Sequence, residues 1–294
     1  MQEPFLVKAQ SELASLVHLE IAERRNAILQ RSPKLPQSLY HYRGYSTPND
    51  ITNLKDILIN SRLFLRAPSD FNDPFDCKFN YSGVSDQPML YEHIIRGGRH
   101  LGYSHREIRK VRNYMNPSGL EQIKRFAKDI MESLFNKSGI FCFTEDYKNV
   151  LMWSHYAEKH TGVCIEFDTT AAYKILPIAH PVDYHGELPL LSFPEEDPRK
   201  IIAPIFRKAK HWEYEKEWRL AIPDLSHQYV DFAPDSIRSL IYGCRSDEVT
   251  RSVIENILET RKNAGLPAVR TRRLAQDRHG YALIEDAHGS RDES

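Results

Sequence analysis

The 294-residue sequence has few cysteines, no excess of charge of either sign and no apolar run long enough to span a membrane. Lysine and arginine number 40, and so do aspartate and glutamate, so the formal net charge is zero. No overall field would draw such a protein to nucleic acid or to an anionic membrane, although a local basic groove would escape this count. Residues 1–10 also lack a basic segment that leads into an apolar run. We therefore expect a cytoplasmic protein that does not associate with membranes.

Several motifs that would indicate a familiar cofactor site are missing. The four cysteines are scattered with no Cys-x-x-Cys pair, so a zinc knuckle and a redox dithiol are not expected, and reduced, buried thiols are. The Gly-x-Gly-x-x-Gly and Gly-x-x-x-x-Gly-Lys phosphate loops are also absent, which leaves a Rossmann or P-loop fold without support. His155 and His160 are five residues apart and would not share a helical face, so we predict no metal site.

Hydrophobic residues make up 41% of the chain, enough for a packed core, and their periodicity favours an α+β fold. We predict an N-terminal helical arm (1–36), one α+β domain (37–285) with a helical insertion (about 86–138), and a disordered tail (286–294). Within the domain we predict helices at 49–63 and 247–262, and strands at 39–43, 140–144, 163–167, 201–206, 218–222, 229–232, 237–242, 269–273 and 281–284. Strands separated by few helices favour an antiparallel or mixed sheet.

Three short blocks mix large aromatic rings with titratable groups, at residues 39–43, 152–157 and 212–220. Neither a plain core strand nor a solvated face needs this mixture. Apolar rings that exclude water around a histidine, a hydroxyl and a carboxylate are the usual composition of a small-molecule site. The sequence therefore predicts a ligand cleft built from the three blocks.

The same blocks, in the same order, resemble the bacterial family DUF2971 over about residues 37–245. The blocks are Leu-Tyr-His-Tyr-Arg at 39–43, Phe-Asn-Asp-Pro-Phe-Asp-Cys at 71–77, Met-Trp-Ser-His-Tyr-Ala at 152–157 with His160, Gly162 and Glu166, and Tyr-Glu-Lys-Glu-Trp-Arg at 214–219. The family name assigns no activity.

A second resemblance supplies a chemistry. ADP-ribosyltransferases, including the DNA-modifying toxin DarT, have an early strand with His or Arg, a helix introduced by Asn, a central Ser or Tyr, and a late Glu or Glu-x-Glu. His41 or Arg43, then Ser154 and Tyr156, then Glu215-x-Glu217 are similar in order and type. The resemblance implies an ADP-ribosyltransferase-like core and NAD as co-substrate. It also implies a nucleic-acid or protein acceptor, a role as a bacterial toxin or phage-defence effector, and an antitoxin as a partner.

The resemblance also implies a reacting carboxylate. Cleavage of the nicotinamide glycosidic bond develops an oxocarbenium-like ribose, and we expect Glu217 to stabilise that charge. Glu215 would orient the acceptor, because residues two apart on a strand point to the same face.

The remaining predicted site residues would hold NAD. We expect His41 to donate to a ribose hydroxyl, Arg43 to meet the pyrophosphate and Tyr156 to stack on nicotinamide, with Ser154 and Trp153 completing the pocket. His41, Tyr156 and Glu217 should then line a single cleft, with Arg43 or Ser154 at its rim.

Simpler interpretations remain open. Residues 215–219 could be a solvated strand face with cross-strand ion pairs. His41 could be a half-buried histidine satisfied by a backbone carbonyl, and Trp153, Tyr156, Trp212 and Trp218 could be core rings. In function, the alternatives are a metal-dependent nuclease that uses Asp73, Glu166 or Asp168, and a non-catalytic binding module.

Overall fold

A computed structural model describes residues 35–84, 117–170, 179–193 and 198–286, together with five single residues between 92 and 106. The fold is α+β, as predicted from the sequence. The predicted arm, apart from residues 35 and 36, much of the predicted insertion and the predicted tail after residue 286 lie outside the described residues. No helix in the described part of the chain is both long and apolar enough to cross a membrane.

The described residues form five α-helices and fourteen strands. The helices are α1 (Pro48–Leu58), α2 (Pro117–Lys137), α3 (Val150–Tyr156), α4 (Pro198–Phe206) and α5 (Glu248–Asn263). The strands are β1 (Ser38–Arg43), β2 (Arg62–Leu65), β3 (Asn80–Val84), β4 (Gly139–Thr144), β5 (Val163–Asp168), β6 (His180–Pro181), β7 (Asp183–His185), β8 (Leu190–Phe193), β9 (Arg207–Ala209), β10 (Glu217–Ile222), β11 (Gln228–Asp231), β12 (Ile237–Tyr242), β13 (Arg270–Gln276) and β14 (Leu283–Glu285).

The chain contacts divide the protein into two compact units, and the described residues of the predicted insertion fall in the smaller one. The described residues of that unit fall within 68–138 and 185–209, and those of the larger unit fall within 35–67, 139–184 and 210–286. In the smaller unit, β3 pairs with β8 in parallel. There Phe79 packs edge-on against Phe135 of α2, with ring centroids 5.5 Å apart.

An eight-stranded mixed sheet organises the larger unit, in the order β14-β13-β12-β5-β1-β4-β10-β6. Only β12 and β13 run parallel among these pairs, so the predicted mixed sheet is confirmed. β1 pairs with β5 over six residues but meets β4 at a single position, Tyr40 opposite Thr144. The sheet is therefore loosely joined between β1 and β4.

The two faces of this sheet carry different cores. The "α1 face" packs under α1 and α5 and buries Leu39, Phe143 and Phe167. The "α3 face" packs under α3 and buries Tyr42 and Trp153. Because strand side chains alternate, neighbouring residues of β1 contribute to opposite cores.

Two local features show how sequence determines these elements. Thr47 and Asp50 form a reciprocal capping box at the start of α1, with proline in its first turn.

The predicted strand at 201–206 is wrong, because these residues end helix α4. A short apolar run does not distinguish strand from helix by periodicity, and Pro198 opens the helix where it needs no donor.

Candidate functional site

Helix α3 and the segment before β10 bring Tyr156 to Glu215. Asn149 caps α3, since its side-chain oxygen accepts from the amides of Leu151 and Met152. Its side-chain amide donates to the carbonyl of Tyr214 at 2.8 Å, which ties the helix start to that segment. The Tyr156 hydroxyl then donates to Glu215 Oε1 at 2.7 Å. Two of the predicted site residues, Tyr156 and Glu215, are therefore in direct contact.

The backbone conformation that places Glu215 here differs from the predicted strand. It ends a 3-10 helix, Lys210–Glu215, and is not part of a strand. Lys216 follows with φ of 43°, a left-handed conformation, before β10 begins at Glu217. The expectation that both glutamates alternate along one strand is wrong. Glu215 still lies on the α3 side, because Tyr156 packs against the core of that face.

Glu217 and Arg219 form a buried ion pair on β10. Trp218 and Leu220 belong to the core of the α1 face, so Glu217 and Arg219 point to the α3 face. The Arg219 guanidinium donates to both carboxylate oxygens of Glu217, at 2.7 and 3.0 Å. Glu215, Glu217 and Arg219 are 2%, 5% and 0% exposed, so the solvated-face interpretation is wrong for all three. Buried charges of this kind are rare unless paired, and they concentrate at functional sites.

His41 lies on the opposite side of the sheet from Glu217. Its Nδ1–H donates to the carbonyl of Cys142 at 2.8 Å, and its ring is 4.3 Å from that of Phe141 on the α1 face. The ring thus occupies the loose junction between β1 and β4, and the backbone-carbonyl interpretation is confirmed. The expectation that His41, Tyr156 and Glu217 line one cleft is wrong, because neighbouring residues of β1 point to opposite faces.

Arg43 is two residues from His41 and shares the α1 face with it. Burial, together with the nearby charge of Arg66, lowers the Arg43 pKa to about 10. Burial and the charges of Arg43 and Arg66 also hold the pKa of His41 well below its usual 6.5. Nε2 of His41 and Nε of Arg43 are buried without a hydrogen-bond partner among the described residues. The two predicted NAD-binding residues of β1 thus lie apart from the carboxylates.

The two remaining predicted residues have different surroundings. Trp153 is fully buried, donates from Nε1 to the carbonyl of Tyr147 at 2.8 Å, and meets Tyr42 edge-on at 5.1 Å between centroids. It is a core ring, as the simpler interpretation held. Ser154 is exposed, and its hydroxyl lies 3.0 Å from His160 Nε2.

Tyr40 is the residue of β1 that lies on the face of the carboxylates, and it was not among the predicted site residues. In the strand register Tyr40 lies opposite Glu166 on one side and Thr144 on the other, and Thr144 lies opposite Glu217. Two strand spacings separate Tyr40 from Glu217, about 10 Å. The alternation of strand side chains already predicts that Tyr40 and His41 lie on opposite faces of the sheet. The sequence did not indicate which of these faces carries the glutamates.

Glu166 is the centre of a second buried network on the α3 face. Its carboxylate accepts from Ser38 at 2.9 Å, Ser239 at 2.6 Å and Arg272 at 2.8 Å, and more weakly from Tyr40 at 3.4 Å. Burial, followed by the charge of Glu166, raises the pKa of Tyr40. The network holds Tyr40 next to Thr144, which lies opposite Glu217 on the following strand.

The carboxylates proposed for a nuclease are each engaged locally. Asp168 pairs with Arg238, Asp73 accepts from the amide of Phe75 at 2.9 Å, and Glu166 is held by Arg272. Within the described ranges, no group of three or more His, Cys, Asp or Glu side chains is arranged to hold a metal ion.

Comparison with models of known protein families gives a match over the stretch from α3 to β10. Residues 152–220 match the family model "Protein of unknown function (DUF2971)". The resemblance inferred from the sequence is confirmed over that stretch. A search of the curated proteins and a search of the solved structures gave no match. The DUF2971 stretch contains Tyr156, Glu166, Glu215, Glu217 and Arg219, so the matched part of the chain includes most of the polar residues buried on the α3 face.

Proposed function

We propose that this protein is an NAD-dependent, ADP-ribosyltransferase-like enzyme whose reacting groups lie on the α3 face. The supporting observation is that two carboxylates two residues apart, Glu215 and Glu217, are both buried, and that Glu215 accepts a hydrogen bond from the Tyr156 hydroxyl. A carboxylate in low-dielectric surroundings stabilises the positive charge that develops on ribose as nicotinamide leaves. The ADP-ribosyltransferase-like form of the α+β core is part of this proposal.

The roles follow the geometry of the α3 face. Glu217 stabilises the oxocarbenium-like ribose, and Arg219 holds its carboxylate in place through the two-point ion pair. Glu215 orients the acceptor and exchanges its hydrogen bond from Tyr156 for one from the acceptor. Tyr156 supplies a ring for nicotinamide. Tyr40 donates to a ribose hydroxyl, which is the role first expected for His41. Tyr40 suits this role because it lies on the same face of the sheet as Glu217, with Thr144 between them.

The acceptor is a nucleic acid or a protein, and the biological role is that of a bacterial toxin or phage-defence effector under the control of an antitoxin. The similarity of motif order to ADP-ribosyltransferases supports these assignments. His41 and Arg43 have no reacting role in this scheme.

Release of nicotinamide from NAD by the full chain tests the proposal. Glu217→Gln should slow release at least about a hundredfold, because it removes about 3 kcal/mol of transition-state stabilisation. Glu213→Gln is the matched control, since Glu213 is exposed in the same segment. If Glu217→Gln fails to fold, Tyr156→Leu removes the ring assigned to nicotinamide and should also slow release.

EDTA should leave the activity intact, because the scheme uses no cation. An unaltered rate in folded Glu217→Gln would overturn the assignment. Strict dependence on Mg²⁺ or Mn²⁺ would favour the nuclease, and the absence of NAD turnover and NAD binding would favour a binding module.

A further inference from the structure

A hydrogen-bonded chain of three side chains runs from Ser154 in the last turn of α3, through His160, to Cys244. The exposed Ser154 hydroxyl is 3.0 Å from His160 Nε2, and the other ring nitrogen, Nδ1, is 3.8 Å from Cys244 Sγ. His160 and Cys244 are both half-buried. A thiol and a hydroxyl on the two nitrogens of one imidazole form the arrangement of a nucleophile, a base and an orienting group.

The backbone holds this imidazole firmly. Glu158, Lys159 and His160 all have left-handed φ values, of 48°, 55° and 74°. The amide of His160 donates to the carbonyl of Trp153, and its carbonyl accepts from the amide of Arg245. The ring also stacks on Trp153, with an interplanar angle of 14°. Three consecutive left-handed residues are costly, so the surrounding structure must fix this turn.

Cys244 is a protonated thiol beside a neutral imidazole, so its reaction requires that imidazole as a base. Burial raises the pKa of Cys244, although Arg245 and Arg273 oppose that shift, so the thiol is protonated at neutral pH. Burial and the charge of Arg245 lower the pKa of His160, so its imidazole is neutral and able to accept a proton. Arg245 and Arg273 give the surroundings of the thiol a positive potential that favours anionic reactants.

We propose that Cys244 is a thiol–disulfide exchange site for small anionic disulfides, with His160 as its base and Ser154 as the residue that positions the imidazole. His160 Nε2–H donates to Ser154, which leaves Nδ1 free to take the proton from Cys244 Sγ. The thiolate attacks one sulfur of the disulfide, a bond from Cys244 to that sulfur forms, and the original S–S bond breaks. The departing thiolate carries the bonding pair and takes up the proton from His160. This site does not depend on the proposed transferase activity.

The test measures mixed-disulfide formation at each cysteine of the full chain by peptide mass spectrometry, with glutathione disulfide as the anionic probe and cystamine as the cationic one. Cys244 should react faster than Cys77, Cys142 and Cys164. His160→Gly should slow it at least about tenfold, and added imidazole should restore the rate. Lys159→Gly is the matched control. Glycine is compatible with positive φ at both positions, so both variants should fold.

Arg245→Gln should lower the ratio of the glutathione-disulfide rate to the cystamine rate several-fold, because it removes positive charge beside the thiol. Three outcomes would overturn the proposal: faster reaction at another cysteine, an unchanged rate in His160→Gly, or a rate that imidazole does not restore. An unchanged probe ratio in Arg245→Gln would overturn the preference for anionic disulfides.

Discussion

The histidine in the loose junction of the sheet should make the stability of the larger unit depend on pH. His41 is neutral in the folded protein because burial and two neighbouring arginines hold its pKa well below 6.5. In the unfolded chain the same side chain titrates near 6.5. Above that pH both states are neutral and His41 contributes no pH dependence. Below it the unfolded chain binds a proton that the folded protein does not, so the free energy of unfolding falls as the pH falls.

The pH dependence of the free energy of unfolding is that of one proton, which the unfolded chain binds and the folded protein does not. The free energy of unfolding should decrease by about 1.4 kcal/mol per pH unit between 6.5 and the lowered folded pKa, hence by about 2 kcal/mol over one and a half units. His41→Asn removes the titrating group and can still place an amide N–H near the Cys142 carbonyl. The variant should be less stable at neutral pH, because it leaves space beside Phe141, but its stability should fall less steeply with acid.

Urea unfolding followed by tryptophan fluorescence at pH 7.5 to 5 measures the difference. All three tryptophans lie in the segments of the larger unit, which also contains His41. Other groups with lowered pKa, such as His160 and His180, titrate in both proteins and cancel in the comparison. Parallel curves for wild type and His41→Asn would refute the assignment of a neutral, unprotonated His41.

Two further predictions concern packing in the larger unit. Arg272→Met should destabilise the protein by about 3–5 kcal/mol, since it removes the cation paired with buried Glu166, whereas Arg238→Met in a more exposed pair should cost about 1 kcal/mol or less; thermal or urea unfolding checks both, and equal losses would count against the network. Gly243→Ala should cost about 1–3 kcal/mol and slow the reaction of Cys244, because its Cβ would lie 2.1 Å from the His160 carbonyl oxygen, while Gly186→Ala, with open space around it, should do neither.

The sequence predicted the class of fold better than the faces of its sheet. Short strands with few helices between them indicated a mixed sheet, and the apolar periodicity within residues 49–63 indicated α1. β1 was less informative because it is covered on both faces, so its alternating residues show no clear polar and apolar sides. The sequence therefore did not indicate that Tyr40, rather than His41, faces the same side as Glu217.

The residues of the candidate site were predicted only in part, because their arrangement depends on backbone conformation and strand order. Tyr156 and Glu215 were each predicted as site residues from their type, and the structure shows them hydrogen-bonded. The left-handed Lys216 that delivers Glu215 carries no sequence signal, because lysine does not favour that conformation. The partners of Glu166 come from β1, β12 and β13, so the network depends on strand order, which the sequence did not reveal.

A structure of the full chain with NAD bound would test the central claim most directly. Nicotinamide and its ribose should lie on the α3 face, in contact with Tyr156 and Glu217. A dinucleotide bound at His41 and Arg43 on the α1 face would contradict it.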